Sequence, residues 1–257
     1  MLTTWIIFLV IATIVVAAIL YKKPAKKITL PSGYQKLLID NVAFYRNINT
    51  AEKIRFENKV KEFLGYVSIT GVGTEVDELD RLLVASSAVI PIFGFPEWKY
   101  YNLREVLLYP DTFNKDKFLT SAEDKQTLGM VGNGPMQGFM ILSKPALHEG
   151  FANDTGKENT GIHEFVHLLD KEDGDVDGMP EVLLKKKYAV PWLELINKNI
   201  AAIMEDQSDI NVYGATNQAE FFAVASEYFF ERPDLFKEKH PQLYELMTKI
   251  FHQEPPV

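Results

Sequence analysis

Cysteine is missing from the 257 residues. Disulfides and thiolate metal sites are therefore excluded, and any bound metal has to use histidine, aspartate or glutamate. A positive excess is missing too: 27 Lys and Arg stand against 35 Asp and Glu, for a formal net charge of −8. Such a chain has no basic face with which to coat nucleic acid, and direct nucleic-acid binding is not expected. Internal repeats and low-complexity tracts are also absent, which removes solenoid architectures. What is present, 47% apolar and 24% charged residues, suits one large domain, or an anchor plus one domain.

One long hydrophobic run does occur. Thr4 to Tyr21, TWIIFLVIATIVVAAILY, carries no charge. At about 1.5 Å of rise per residue it just spans a hydrocarbon core. A cleaved signal peptide should carry positive charge ahead of its apolar run, whereas here Lys22, Lys23, Lys26 and Lys27 follow it. Positive flanks stay in the cytoplasm. Residues 1–21 are therefore expected to be a retained single-pass anchor in the plasma or inner membrane, embedded through residues 4–21, with the body of the chain in the cytoplasm. Trp5 and Tyr21 would sit at the two interfaces. Residues 22–33, with Pro24 and Pro31, read as a basic linker, and residues 34–257 as the folded domain.

Within that domain, apolar spacing predicts a helix over 34–48 and a second over Ala51–Leu64, capped by Thr50. YVSIT (66–70), EVLLYP (105–110) and QGFMILS (137–143) read as strands. Thr74 with Asp77 resembles a capping box opening a helix from Glu75 to about Val89, with Pro91 and Pro96 breaking the chain beyond it. GMVGNGP (129–135) reads as turn. Pro180 is expected to open a long helical stretch that Pro191 interrupts, Asn217 to start a helix through FFAVASEYFF, and Pro241 to open the last helix. The fold class is α+β, dominated by helices, with few strands.

The chemistry concentrates in NTGIHEFVHLLDKEDGDVDG, Asn159 to Gly178. His163, Glu164 and His167 form H-E-x-x-H on a helix expected from about Thr160 to Lys171. Residues i and i+4 share a helical face, so the two imidazoles can hold one ion. Glu164 lies about 100° round the helix, beside the ion and not on it, where a general base belongs. Phe165, Val166, Leu168 and Leu169 make this helix largely apolar, and a buried helix seldom carries three polar residues on one side without partners. Two neutral ligands call for a third, anionic one. A histidine six residues on is ruled out, because that position is Asp173. Glu181, Glu194, Glu205, Glu220 and Glu227 are the further candidates. The first three sit among polar neighbours. Glu220 sits in NQAEFFAVASEYFF, where a carboxylate needs a strong partner such as zinc. Glu227 shares its face two turns on, and either supports a histidine or is met by a nearby Arg or Lys.

HEFVHLLD followed by YGATNQAEFFAVASEYFF resembles the Mlc titration factor A family of zinc peptidases. The resemblance extends over RLLVASSAVIPIFGFPEWKYYNLREVLLYPDTF (81–113) and DGMP (177–180). The Tyr-x6-Glu arrangement is also similar to the catalytic domain of anthrax lethal factor. The resemblance implies a gluzincin-like helical fold with a small sheet. It implies His163, His167 and Glu220 as ligands of one Zn2+, Glu164 as the base, and Tyr213 with its hydroxyl in the site. Family members are associated with aminopeptidase activity, and some bind a sugar-responsive transcriptional repressor. In thermolysin-type enzymes an Asp follows the third-ligand Glu by four residues. Here that position is Val224, so the group orienting a histidine has to come from elsewhere. Asp170, three residues past His167, is a candidate, with ending the helix as its other role.

These residues predict a membrane-anchored zinc peptidase in which Glu164 moves protons; the resemblance implies that Tyr213 helps to stabilise the oxyanion, while the residues alone also allow a core tyrosine with its hydroxyl satisfied locally. The strand beginning at Gly138, Phe139 and Met140 is expected to form the cleft edge and pair with an extended peptide. Asp173, Asp175 and Asp177 with Gly178 mimic the start of a calcium loop, but its twelfth position is Leu184 where a bidentate Glu is needed, which argues against calcium. The competing reading is a membrane-tethered protein that sequesters a transcriptional regulator, with peptidase activity minor or absent.

Overall fold

The computed structural model describes residues 29–111, 113–114, 126–127, 129–131, 137–153 and 155–256. The expected anchor and residues 22–28 of the linker lie outside them. Among the described residues no helix is long and apolar enough to cross a membrane.

The first expected helix is two: α1 (Tyr34–Asn41) and α2 (Ala43–Asn47), broken at Val42, which is extended at φ −120°, ψ 98°. A continuous helix would align Leu38, Val42 and Tyr45 but turn Phe44 away; the break lets all four enter the core. Helix α3 (Thr50–Tyr66) is capped by Asn49, not Thr50: Asn49 and Glu52 satisfy each other's backbone N–H in a capping box. Strand β1 (Ser68–Gly71) follows. Helix α4 (Glu78–Ile92) starts later than its sequence pattern suggested, because the working box is Asp77 with Asp80 and not Thr74 with Asp77. Pro91 is accommodated in its last turn.

The main sheet has the order β1-β2-β6-β5. Strands β1, β2 (Glu105–Tyr109) and β6 (Phe139–Ser143) are parallel. A separate two-stranded ladder pairs β3 (Phe113–Asn114) with β4 (Gln126–Thr127). Strand β5 (Gly129–Val131), expected as turn, runs antiparallel to β6 and forms the other edge. Strand β6 is thus interior, paired by β2 on one side and β5 on the other. That corrects the expectation of a cleft edge along this strand: Met140 is fully buried and paired on both sides, while Phe139 is paired with Glu105 of β2. Gly138 (φ +89°) instead turns the chain into β6, its carbonyl accepting from Arg104 N–H.

After β6 come α5 (Lys144–Ala152), α6 (Thr160–Asp170) and an irregular stretch. Pro180 opens no helix; α7 (Ala189–Met204) begins two residues before Pro191, which sits in the first turn, where its missing N–H leaves no bond unmade. Then follow α8 (Gln218–Glu231), α9 (Pro233–Lys239) and α10 (Pro241–Phe251), the last two with proline at the N-terminus. Helix α6 is the hub, packed against α4, α5, α8 and the β5 side of the sheet. Phe165 on its inner face meets Phe63 at 5.7 Å and Tyr100 at 5.1 Å. Around α8, nearly every residue from Phe221 to Phe230 is buried, which is why its carboxylates need internal partners.

Candidate metal centre

Helix α6 is fixed at its N-terminus by Asn159. This buried side chain caps the helix by accepting from Ile162 N–H at 3.1 Å, and its amide donates to Glu231 on α8. Gly161 permits close approach to α4: a Cβ there would lie 2.2 Å from Ser87 Oγ. These contacts set the face of α6 that meets α8.

On that face His163 Nε2 lies 3.0 Å from Glu220 Oε2 and 3.1 Å from His167 Nε2, while His167 Nε2 lies 3.3 Å from the same carboxylate oxygen. Among the described residues, this is the cluster of three such donors able to hold a metal ion. His163 Nδ1 sits 2.7 Å from Glu227 Oε1. An ionised carboxylate only accepts, so Nδ1 carries the proton and, in the neutral ring, Nε2 presents a lone pair. Without a metal ion, a proton on His163 Nε2 shared with Glu220 holds the triangle together; a cation would take that proton's place. Tetrahedral zinc with bonds of about 2.0–2.2 Å separates its ligands by roughly 3.3–3.5 Å, so the triangle nearly has the size of one such face. Its charge pattern agrees. Burial disfavours a charged His163, yet Glu227 and Glu220 outweigh it and hold the imidazole's pKa well above its usual value. Burial also opposes the charge on Glu220, but the two imidazoles keep its carboxyl well below the usual carboxylate range.

Glu227 grips the far side of His163 and also accepts Asn159 N–H at 2.6 Å. Among the described residues no Arg or Lys takes that place. Helix α8 therefore touches both ring nitrogens of His163, through two carboxylates seven residues apart. Asp170 behaves differently. Its Oδ2 accepts Gly178 N–H at 2.8 Å, while Oδ1, like His167 Nδ1, is buried with no hydrogen-bond partner among the described residues. Burial pushes the Asp170 carboxyl up to about 6. Gly178 (φ +77°) lies against the start of α8, where a Cβ would come within 2.3 Å of Gln218 O, and its carbonyl accepts Trp192 Nε1–H at 2.8 Å. Asp170, Gly178 and Trp192 thus form a strut between the end of α6 and the turn that carries Glu220. In the sequence Gly178 stands out only within the calcium-like pattern and the DGMP stretch, neither of which points to a strut.

Glu164 is buried beside His163, and its charge is felt by both His163 and Tyr213. Tyr213 stands on the short helical turn Val212–Ala215, with its ring 6.0 Å from that of His163. Burial and the nearby charge of Glu220 push its hydroxyl up to about 12, so it stays a donor at any ordinary pH. Asn211 holds this turn by accepting Tyr213 N–H at 2.8 Å and donating to Glu158. Just upstream, Asp209 collects Lys157, Lys239, His240 and the Tyr228 hydroxyl. Glu181, Glu194 and Glu205 are exposed. In the acidic loop, Asp173 accepts the backbone N–H of Asp175 and Glu181, and Asp177 accepts that of Met179. Those carboxylates serve the turn.

A helix-dominated α+β domain whose H-E-x-x-H helix meets a glutamate from a second, buried helix defines a metallopeptidase-type protein. The chain belongs to the glucose-regulated metallo-peptidase M90 family, whose model matches residues 18–252. It is similar to proteins called Mlc titration factor A. That of Escherichia fergusonii is 30% identical over 232 residues, 83% of this chain and 84% of the relative. That of Cronobacter sakazakii is 32% identical over 200 residues, 71% of this chain and 72% of the relative. An uncharacterised protein of Synechocystis is 28% identical over 237 residues, 88% of this chain and 86% of the relative.

Proposed function

We propose that this chain is a zinc-dependent, aminopeptidase-like peptidase that works at the cytoplasmic face of a membrane. The observation that carries the reading is the triangle of His163, His167 and Glu220 with Glu164 buried beside it. A purely structural site has no need of that fourth residue. His163, His167 and Glu220 would hold the ion, which supplies Lewis acidity at a scissile carbonyl and makes water acidic near neutral pH. Glu164 takes the proton of the attacking water and returns it to the leaving amine. The Tyr213 hydroxyl donates to the oxyanion. Glu227 keeps the proton of His163 on Nδ1, so that Nε2 faces the ion. An extended substrate would add at β5, the sheet edge bordering α6, not at β6. The membrane placement rests on the uncharged run Thr4–Tyr21 and the lysines after it.

The test is hydrolysis of a peptide set by the zinc-loaded full chain and by Glu164→Gln. The wild type should turn over at least about 100-fold faster. Equal rates, or no cleavage by either protein, would sink the enzyme reading. The relatives' name, Mlc titration factor A, supports a second reading in which the chain binds a transcriptional regulator. Binding that survives in Glu164→Gln, in a chain with no peptidase activity, would favour it.

A further inference from the structure

Beyond the His163, His167 and Glu220 triangle, a cavity of about 280 Å³ opens between the last turn of α6 and the start of β6. It is smaller than the roughly 300–1,000 Å³ of whole small-molecule sites, and its size suits one long side chain. Tyr100, Leu103 and Leu168, all buried, and half-buried Phe139 give it an apolar wall. Its rim carries Glu172 and Asp173 together with Lys171. Leu168 follows Glu164 by four residues, so the cavity lies on the Glu164 side of α6, about 6 Å further along.

We propose that this cavity is the subsite for a basic side chain, arginine or lysine, next to the scissile bond of the peptide substrate. The inference rests on the peptidase reading above and names its substrate class. An aliphatic stem would lie on the Leu103, Leu168 and Phe139 wall while its cationic head meets Glu172 at the rim. The lining holds two carboxylates and one lysine, and the Arg104 side chain packs beside Gly138. Burial and the neighbouring Asp173 push the Glu172 carboxyl up, and Lys171 in the same lining does not reverse the shift. Asp173 is already engaged by two backbone N–H groups, which leaves Glu172 as the group that selects.

The test uses the zinc-loaded full chain and peptides identical except for arginine, norleucine or glutamate at each position flanking the cleaved bond. The ratio of kcat/KM for arginine over norleucine should exceed one at one position, fall roughly tenfold in Glu172→Gln, and invert in favour of glutamate in Glu172→Lys. A ratio that both substitutions leave unchanged overturns the proposal. Binding of the same peptides to Glu164→Gln, followed by fluorescence anisotropy, separates the two claims. Arginine-dependent binding that the further change Glu172→Lys abolishes supports the subsite even where turnover is slow. Turnover and binding that are both blind to arginine refute the subsite while leaving the peptidase standing. Absence of both removes the peptidase reading and the subsite with it.

Discussion

At the start of α6, Asn159 and His163 reach α8 through Glu231 and Glu227. At its end, His167 Nδ1 and Asp170 Oδ1 are buried with no partner among the described residues. The two histidines of one motif are therefore held by different means. His163 has its ring orientation fixed by a carboxylate before any ion arrives. His167 is placed by the helix backbone, and that part of the helix is placed by the strut from Asp170 to Gly178. One end is built from charged hydrogen bonds, the other from a close backbone contact.

The contact should prove the more brittle of the two. Gly178→Ala forces a side chain into the left-handed region, at about 1–2 kcal/mol, and into Gln218 O. Chemical denaturation should show a total loss of about 3 kcal/mol or more. A loss below about 1 kcal/mol would mean that the strut does not set the helix spacing. Glu227→Ala attacks the other end. It should raise the zinc dissociation constant about 10–100-fold in chelator competition, and an unchanged constant would remove the distinction between the two histidines. The smallest effect at neutral pH should come from Asp170→Asn, which keeps an acceptor for Gly178 N–H. Its signature is a slope. The folded pKa of about 6 lies above the unfolded value of 3.8, so this carboxyl holds its proton more tightly folded than unfolded, and its own contribution to the stability of the metal-free protein falls as pH rises from about 4 to 6. Asp170→Asn should flatten that fall; a melting profile of unchanged slope would place the orphaned oxygen in contact with water or a cation.

The same contrast separates what the sequence disclosed from what it hid. The start of α8 at Asn217 was legible because a side-chain cap and an apolar run coincide there. The meeting of His163, His167 and Glu220 was legible because few places in a core accept a carboxylate. Glu227 was visible with two roles left open, support of a histidine or pairing with a cation, since its partner is fixed only when α8 docks on α6. The start of α4 was misread because Thr74 and Asp77 imitate a capping box, while the real one uses aspartate at both positions. β5 was hidden in a glycine-rich stretch too short to show alternation, and without it β6 looked like an edge. Side-chain chemistry can be read along the chain; the choice between neighbouring caps, strand order and close backbone approach depend on the rest of the fold.

The triangle draws its corners from α6 and α8, and His163 and Glu220 stand 57 positions apart in the chain. An ion held there would bind the folded chain and find no such site in the unfolded one. Its binding free energy then adds to folding, by about 4 kcal/mol at a thousandfold excess over the dissociation constant. In thermodynamic terms the centre is a removable crosslink, and the melting temperature of the protein should report the free metal concentration around it.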